Sequence, residues 1–171
     1  MQTQRLLLRR FRAEDFDDFL ACFSDPEVVR FEPYEPMSPE DARNALQSRI
    51  GSDEFIAVER RSDGRIIGNV YLGRRDFQAL ELGYVFCRDC WGQGYAQESC
   101  TAAIDAAFAA GVHRVYAECD PQNAASWKLL ERLGFAREAH LRQNVFFHTD
   151  PDGRPVWKDT FIYSRLFATE P

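Results

Sequence analysis

The 171-residue sequence lacks any long hydrophobic run. No apolar stretch approaches the roughly 20 residues that a helix needs to cross a bilayer. The N-terminal segment MQTQRLLLRR also lacks the pattern of a secretory signal peptide. These two absences argue against a membrane partner, and they make the cytoplasm the expected location.

An excess of positive charge is also missing. The chain carries 27 acidic and 21 basic side chains, which gives a formal net charge of -6. Proteins that bind nucleic acids usually present a basic patch or stripe, so no nucleic-acid partner is expected. The acidic balance fits a cationic or neutral substrate slightly better than an acidic one.

Metal-binding patterns are absent as well. The three histidines, His113, His140 and His148, follow no common spacing, and each is expected to be a surface or packed residue. Cys87 and Cys90 form a C-x-x-C pair, but a zinc site would need two further ligands. A redox pair would open a helix, whereas this one precedes the glycines. We therefore expect five reduced thiols and no metal.

The length fits a single domain over residues 1–171. Hydrophobic residues make up 45% and charged residues 28% of the chain, as in ordinary globular proteins. The patterns predict a strand, two helices, three strands, a helix, a strand, a helix and two strands. A helix between two strands implies a parallel crossover within an otherwise antiparallel sheet. The predicted class is therefore a mixed α+β fold with a cleft.

Several elements have specific signals. Apolar residues at i, i+3, i+4 and i+7 from Phe16 to Phe23 predict an amphipathic helix. Four prolines in residues 25–41 predict a short helical turn and then an irregular loop. The next helix is expected to start near Ser38 or Asp41 and to end before Gly51. The turns SDG and DPDG predict two hairpins, the second between long strands at residues 135–150 and 155–167.

The stretch from Glu81 to Glu98, ELGYVFCRDCWGQGYAQE, organises the chain. It predicts a strand, then a loop with Gly92 and Gly94, then a helix that ends at Gly111. Such an arrangement binds phosphate, because glycines allow a close approach and the helix N-terminus presents free N–H groups. A plain turn into a helix is the alternative, since a short Gly-x-Gly is a weak signal by itself.

The run GYVFCRDCWGQGYAQES, followed by DPQNAASWKLLERLGFAREAHLR, resembles the GNAT acetyltransferase superfamily, and within it the RimJ/RimL-like branch. The resemblance covers nearly the whole chain. It implies a mostly antiparallel seven-stranded sheet flanked by about four helices, with a V-shaped split between the central parallel strands. It also implies an acetyl-CoA-dependent N-acetyltransferase that transfers the acetyl group directly to a primary amine.

The resemblance further implies an acetyl-CoA-binding loop at Trp91, Gly92, Gln93, Gly94, Tyr95 and Ala96. Its first position is Trp instead of Gln or Arg, which removes one side-chain contact and keeps the backbone cradle. Arg88 could add a positive charge for the phosphates, or it could be a solvated surface residue. The backbone N–H of Val85 or Phe86 would stabilise the oxyanion if this strand splays from its neighbour, and the resemblance implies a bulge that frees such groups.

Acetyl transfer to an amine requires loss of a proton from the amine, a donor for the oxyanion and a proton for the thiolate. Glu81 is the candidate general base, directly or through water, and a solvent-facing or ion-paired glutamate is the alternative. Many family members carry a tyrosine where this chain has Leu130. The resemblance therefore assigns Ser126 to the CoA sulfur and Asn123 to the pantetheine arm, with helix capping as the alternative for both.

The acceptor would be a small-molecule or peptide amine. The resemblance places its site at residues 30–36 and 144–157, where Glu32 and Glu35 would favour a cationic amine. Five aromatic residues could line this pocket or pack in the core, namely Phe31, Tyr34, Phe146, Phe147 and Trp157.

Two other classes of function are alternatives to an acetyltransferase. A non-catalytic acyl-CoA-binding module would keep the cradle without turnover. A nicotinamide-binding Rossmann domain fits poorly, because its glycine loop would come early in a repeated βαβ pattern. The sequence leaves a homodimer open.

Overall fold

The computed structural model describes residues 1–167, which form one seven-stranded sheet and five α-helices. The strands are β1 (Leu6–Arg9), β2 (Phe55–Arg60), β3 (Ile66–Arg75), β4 (Ala79–Phe86), β5 (Arg114–Cys119), β6 (Ala136–Val145) and β7 (Lys158–Leu166). The helices are α1 (Phe16–Phe23), α2 (Pro26–Val29), α3 (Pro39–Gly51), α4 (Tyr95–Ala109) and α5 (Ala124–Arg132). The predicted α+β class and element order are confirmed.

The sheet runs in the order β1-β2-β3-β4-β5-β7-β6, and β4–β5 is its parallel pair. This pair is short, because it extends only from Ala79 opposite Arg114 to Glu81 opposite Tyr116. Beyond Glu81, β4 stays paired with β3 and β5 stays paired with β7. The two central strands therefore diverge, which confirms the predicted V-shaped split.

The two faces of the sheet are covered by different helices. Arg49 of α3 donates to the Asn69 side chain on β3, while the Tyr84 hydroxyl on β4 contacts Ser126 of α5. Asn69 is paired with Val85, the neighbour of Tyr84, and successive strand residues point to opposite faces. Helices α3 and α5 therefore lie on opposite faces of the sheet.

The start of α3 follows its sequence signal closely. Ser38 is the N-cap residue, its hydroxyl accepts from the Asp41 N–H at 3.2 Å, and Pro39 takes the first helical position. The helix includes Gly51, one residue further than expected. The fifth helix, α2, is the four-residue turn that the proline-rich segment predicted.

The last hairpin is shorter than expected. β6 ends at Val145 and β7 begins at Lys158, whereas the sequence predicted continuous strands up to the DPDG turn. Between them lies one isolated bridge, Thr149 to Pro155, around a turn in which Asp150 Oδ1 accepts from two backbone N–H groups. Pro151 and Pro155 have no N–H to donate, so this part of the ladder cannot continue.

The core beneath the sheet is a single cluster of buried apolar side chains. Its largest fully buried members come from both ends and the middle of the chain, among them Tyr163, Phe19, Phe23 and Ile104. Within residues 1–167, no helix combines the length and the apolar character needed to cross a membrane.

Candidate active site

Two cavities open on opposite sides of the split. One has a volume of about 590 Å³ and lies on the side of the N-terminal helices, and we call it the acceptor cavity. The other, of about 530 Å³, lies beside the glycine loop and α5, and we call it the cofactor cavity. Both volumes are typical of small-molecule sites.

The two cavities meet where β4 and β5 diverge. Six residues line both of them: Phe31, Glu32, Tyr84, Val85, Asn123 and Ser126. We call these six residues the junction. A group bound in one cavity can reach a group bound in the other only past these side chains, so the junction is the natural place for chemistry between two ligands.

The glycine loop turns directly into α4. Gly94 is the N-cap residue with φ of 80°, and Gly92 has φ of 70°, conformations that residues with a Cβ atom rarely adopt. The Glu98 N–H donates to the Gly94 carbonyl, so the amides of residues 95–97 precede the first helical bond. Tyr95, Ala96 and Gln97 line the cofactor cavity, where these amides and the helix dipole favour an anion.

Side chains of the loop fix it to the strand. The Trp91 indole N–H donates to the Phe86 carbonyl at 2.7 Å, and Trp91 also lines the cofactor cavity. Gln93 lies outside that cavity, where its side-chain amide donates to the Asp89 carbonyl at 2.7 Å. Arg88 is exposed and lines neither large cavity, as expected for the solvated alternative.

The N-terminal segment braces the same loop, and sequence reasoning missed this contact. Arg5 Nη1 donates to the Gln93 carbonyl at 2.9 Å, and Arg5 Nε contacts the Glu98 carboxylate at 2.7 Å. The Thr3 hydroxyl donates to the same carboxylate at 2.6 Å. Burial alone would raise the pKa of Glu98, but these hydrogen bonds outweigh it and hold that pKa below its ordinary value.

The strand that carries the oxyanion candidates has no bulge. β3 and β4 pair without a register shift, and the Cys87 N–H donates to Ile67 on β3. Because donors alternate along an antiparallel pair, the N–H of Val85 is also directed at β3 and that of Phe86 is directed away from it, toward the split. Strand divergence, and not a bulge, therefore leaves the Phe86 N–H without a ladder partner.

Asn123 and Ser126 lie at the start of α5. Asn123 is the N-cap residue, and its Oδ1 accepts from the Ser126 N–H at 3.2 Å, so the capping role is present. Ser126 Oγ is free of that bond and lies 2.9 Å from the Tyr84 hydroxyl. Leu130 is fully buried in the core, away from any role in proton transfer.

Tyr84 is the junction residue that sequence reasoning did not single out. Its hydroxyl lies 3.1 Å from the Ser126 carbonyl and 2.9 Å from Ser126 Oγ. Burial raises the pKa of the Tyr84 phenol well above its ordinary value, so the phenol keeps its proton at neutral pH. A tyrosine in the strand thus supplies a hydroxyl that the helix lacks at Leu130.

Glu81 lies at the last paired position before the split. Its carboxylate contacts the Arg75 guanidinium, one of the alternatives that the sequence left open, and it lines the acceptor cavity. Glu118 lines the same cavity from β5, and its pKa is raised by burial and further by the Glu81 charge. The two carboxylates make this part of the cavity wall acidic.

Glu32 differs from Glu81 and Glu118 because it lines both cavities. It lies in the loop after α2, is partly buried and belongs to the junction. Burial raises the pKa of Glu32 to about 7, although the nearby Tyr34 hydroxyl and Arg49 charge act in the opposite direction. Glu35, in the same loop, lies outside both cavities and contacts His148 Nδ1 at 3.0 Å.

A buried cation shapes the inner wall of the acceptor cavity. The Arg49 guanidinium lies 4.3 to 4.8 Å from three phenylalanine ring centroids, and its Nη1 donates to Asn69 Oδ1 at 3.0 Å. Burial lowers the pKa of Arg49. Lys158, also in the wall, contacts Asp120 at 3.3 Å, so both basic groups of this wall have polar partners.

The predicted acceptor segments contribute only in part. Phe31, Tyr34 and Phe147 line the acceptor cavity, and Asn144 and Val145 line it from the end of β6. In contrast, the rings of Phe146 and Trp157 pack against each other at 5.2 Å and lie outside both cavities.

The cysteine and histidine side chains of residues 1–167 are not arranged as a metal-binding site. All five cysteines are free and buried, and within residues 1–167 no cluster of three His, Cys, Asp or Glu side chains is placed to hold a metal. His113 is exposed, and His140 contacts Asp159 at 2.6 Å. Burial raises the pKa of Cys119, the cysteine in the acceptor cavity, to about 11.

Comparison with known families agrees with this geometry. Residues 5–136 match the family model described as an acetyltransferase (GNAT) domain. The chain belongs to the GNAT acetyltransferases. The predicted family is thereby confirmed, and members of this family are acetyl-CoA-dependent enzymes that act on amines.

Individual relatives extend over nearly the full length. An uncharacterized N-acetyltransferase of Bacillus licheniformis, p20, is 31% identical, with 97% of this chain and 95% of that protein covered. The ribosomal protein uS5 alanine N-acetyltransferase of Escherichia coli is 27% identical, with 93% and 86% covered, and it supports the RimJ/RimL-like branch. A GNAT acetyltransferase structure from Bacillus anthracis superposes with a TM-score of 0.89 at 26% identity, covering 98% of both chains.

Proposed function

We propose that this GNAT protein transfers an acetyl group from acetyl-CoA directly to the primary amine of a peptide N-terminus or a small molecule. The main observation in support is that the two cavities share six lining residues where β4 and β5 diverge. One cavity has a helix N-terminus suited to phosphate, and the other has acidic walls suited to an ammonium group.

The cofactor cavity fits a nucleotide thioester. The amides of residues 95–97 and the left-handed Gly94 form a cradle in which the N–H groups of Tyr95 and Ala96 would contact the pyrophosphate. Trp91 and Gly92 would contact the same end of the ligand, and Asn123 would contact the pantetheine arm. Gln93 and Arg88 would act only indirectly, through the shape of the loop.

We propose that the Ser126 hydroxyl contacts the sulfur of CoA. Its Oγ lies at the junction beside the Tyr84 hydroxyl at 2.9 Å, so two protonated hydroxyls converge on the point where a thiolate would leave. Donation from Ser126 to the sulfur, supported by Tyr84, would stabilise the departing charge. The Phe86 N–H, directed toward the split, is the proposed donor for the tetrahedral oxyanion.

Direct transfer is favoured over a cysteine-bound intermediate. Cys119 is the thiol in the acceptor cavity, and its pKa of about 11 keeps it protonated at neutral pH. A protonated thiol is a poor nucleophile, since the thiolate is the reactive form. The amine itself would therefore attack the thioester.

The acidic wall formed by Glu81 and Glu118 is proposed to attract the acceptor as an ammonium ion. Glu81 would serve as the general base only if Arg75 released its carboxylate, because the guanidinium occupies that carboxylate. The E. coli relative named for acting on a ribosomal-protein alanine supports a peptide among the first acceptors to test.

Thermal unfolding with and without excess acetyl-CoA tests the cofactor part. A ligand that binds the native state raises the melting temperature, and at 100 times Kd the stabilisation is about 2.7 kcal/mol. Absence of any shift at millimolar acetyl-CoA would contradict the proposal.

Turnover separates the enzyme from a non-catalytic acyl-CoA-binding module. We expect the release of free CoA thiol to require an amine, tested with alanine- and serine-initiated peptides and with spermidine. A clear thermal shift without amine-dependent thiol release across this panel would favour the binding module.

A further inference from the structure

We infer that Glu32, and not Glu81, accepts the proton that the acceptor ammonium must lose before it attacks. The inference rests on the proposed function and assigns the general base of that same site. Among the six junction residues, Glu32 is the one with a carboxylate. Glu81 lines the acceptor cavity but not the cofactor cavity. The proton must leave the nitrogen where the amine meets the thioester, and this is the place that Glu32 occupies.

The surroundings of Glu32 suit a general base that gains and loses its proton near neutral pH. The side chain is partly buried, and burial raises its pKa to about 7. A carboxylate with a pKa near the working pH is the most effective general base. Glu81 differs, because it lies outside the junction and its carboxylate contacts the Arg75 guanidinium.

Charged and titratable groups face this site from several elements. On the acceptor side they are Tyr34, Arg49, Tyr71, Glu81, Tyr84, Glu118, Cys119, Asp120, Lys158 and Asp159, and on the cofactor side they are Glu27, Arg30, Cys90, Tyr95 and Arg132. Burial is the largest influence on the Glu32 pKa and raises it, while the Tyr34 hydroxyl and the Arg49 charge lower it.

The ammonium transfers one proton to the Glu32 carboxylate and becomes a neutral amine. Its lone pair forms a C–N bond with the thioester carbonyl carbon, and the carbonyl electrons move onto oxygen. As the oxyanion collapses, the C–S bond breaks and the electron pair leaves on sulfur. The second nitrogen proton passes to the thiolate by way of Ser126, giving amide and CoA thiol, and Glu32 then releases its proton to water.

The pKa of Glu32 also indicates which acceptors suit the site. A peptide α-amine titrates near 7.7 to 8.0 and a lysine-like amine near 10.4. Transfer to a carboxylate of pKa about 7 is therefore closer to balanced for the α-amine. An alanine-initiated peptide is accordingly the probe of first choice, with spermidine as the comparison.

The test compares the pH dependence of kcat in wild type, Glu32→Gln, Glu32→Asp and Glu81→Gln, with saturating acetyl-CoA and the peptide. Wild type should lose activity as the pH falls below about 7, because the base becomes protonated. Glu32→Gln should lower kcat about 100-fold and move the acidic limb to the pKa of the amine itself, near 7.7 to 8.0. Glu32→Asp should restore part of the rate together with the wild-type limb. Glu81→Gln should keep the limb and lower the rate only a few-fold.

Two controls keep the result interpretable. Glu40→Gln removes the same charge from an exposed position in the first turn of α3 and should behave as wild type. The acetyl-CoA thermal shift of each variant reports whether it folds and binds. Carbon-13 NMR of labelled glutamate carboxyls should show one signal titrating near pH 7 that is missing in Glu32→Gln.

The outcomes separate the two levels of the proposal. Wild-type turnover with the same acidic limb in Glu32→Gln, or no glutamate titrating above about pH 5.5, would overturn the assignment of Glu32 and leave the acetyltransferase intact. Absence of wild-type turnover with every amine would overturn the enzyme and, with it, the role of Glu32.

Discussion

The two sides of the split are built in different ways. The cofactor side is built around the glycine loop and the start of α4, where backbone amides are the proposed phosphate ligands, and side chains of α2, β4 and α5 complete its wall. The acceptor side is assembled from side chains of the α2–α3 loop, α3, β3, β4, β5 and β7. Backbone groups are common to every sequence that can adopt the turn, whereas a wall of side chains can change with each substitution. One side thus suits a constant ligand and the other a variable one.

The largest expected effect comes from side chains that block the backbone cradle. Gly94→Asp should weaken acetyl-CoA binding at least 100-fold, because the residue has φ of 80°, and a carboxylate there would repel the phosphates. Isothermal titration calorimetry measures this loss directly.

Gly111→Asp is the matched control for this variant. Gly111 also has a positive φ, of 89°, but it lies beyond the other end of α4 in open space. We expect a comparable fall in melting temperature and unchanged affinity. Equal losses of affinity in both variants would mean that strain, and not the cradle, explains the effect.

A smaller effect is expected at the junction, where both sides meet. Ser126→Ala should lower kcat about 10-fold with little change in acetyl-CoA affinity, because its hydroxyl is proposed to act on the departing sulfur. Tyr84→Phe should lower kcat less, since it removes only the partner at 2.9 Å.

Steady-state kinetics of the two single variants and the double variant test this coupling. If Tyr84 acts through Ser126, the double variant should be no slower than Ser126→Ala. Full activity of Ser126→Ala would mean that the thiolate leaves without its help.

The smallest effect is expected for the contacts of Thr3 and Arg5 with Glu98, at the start of α4. Glu98→Gln should reduce the free energy of unfolding by about 1 kcal/mol at pH 7, a value lowered for partial solvent screening. The folded-state pKa of Glu98 lies below its unfolded value, so this stabilisation is complete above about pH 4.3 and is lost as the pH falls through the folded pKa.

Urea unfolding at several pH values checks this sign. The difference between wild type and Glu98→Gln should shrink as the solution is acidified below about pH 4.3. A difference that is constant with pH would show that Glu98 stabilises through packing and not through its charge.

The sequence predicted the fold class and the glycine loop from local patterns, whereas the V-shaped split of the central strands came from the resemblance to a known family. Alternating apolar residues, Ser38 before Pro39 and Gly94 before α4 all act over a few neighbouring positions. The bounds of the last hairpin were wrong, since the DPDG signal indicates where a chain turns but not how far the ladder extends on either side.

The features that were missed all depend on distant contacts. Nothing near Tyr84 in the sequence indicates that its hydroxyl reaches Ser126, 42 positions away. Glu32 stood out only as an acidic loop residue, because its pKa depends on burial beneath elements that come later in the chain.

The contact between Arg5 and Glu98 also has a consequence for the timing of synthesis. Its two residues are 93 positions apart, so more than half of the chain must leave the ribosome before they can meet. Until then the start of α4 lacks its brace, and contacts between such distant residues form slowly because a long loop must close first. Acetyl-CoA present during translation would therefore stabilise the nascent protein only late, after β1 has packed against α4 and α5 has completed the cofactor cavity. From that moment its binding free energy would protect the strands already folded against proteolysis.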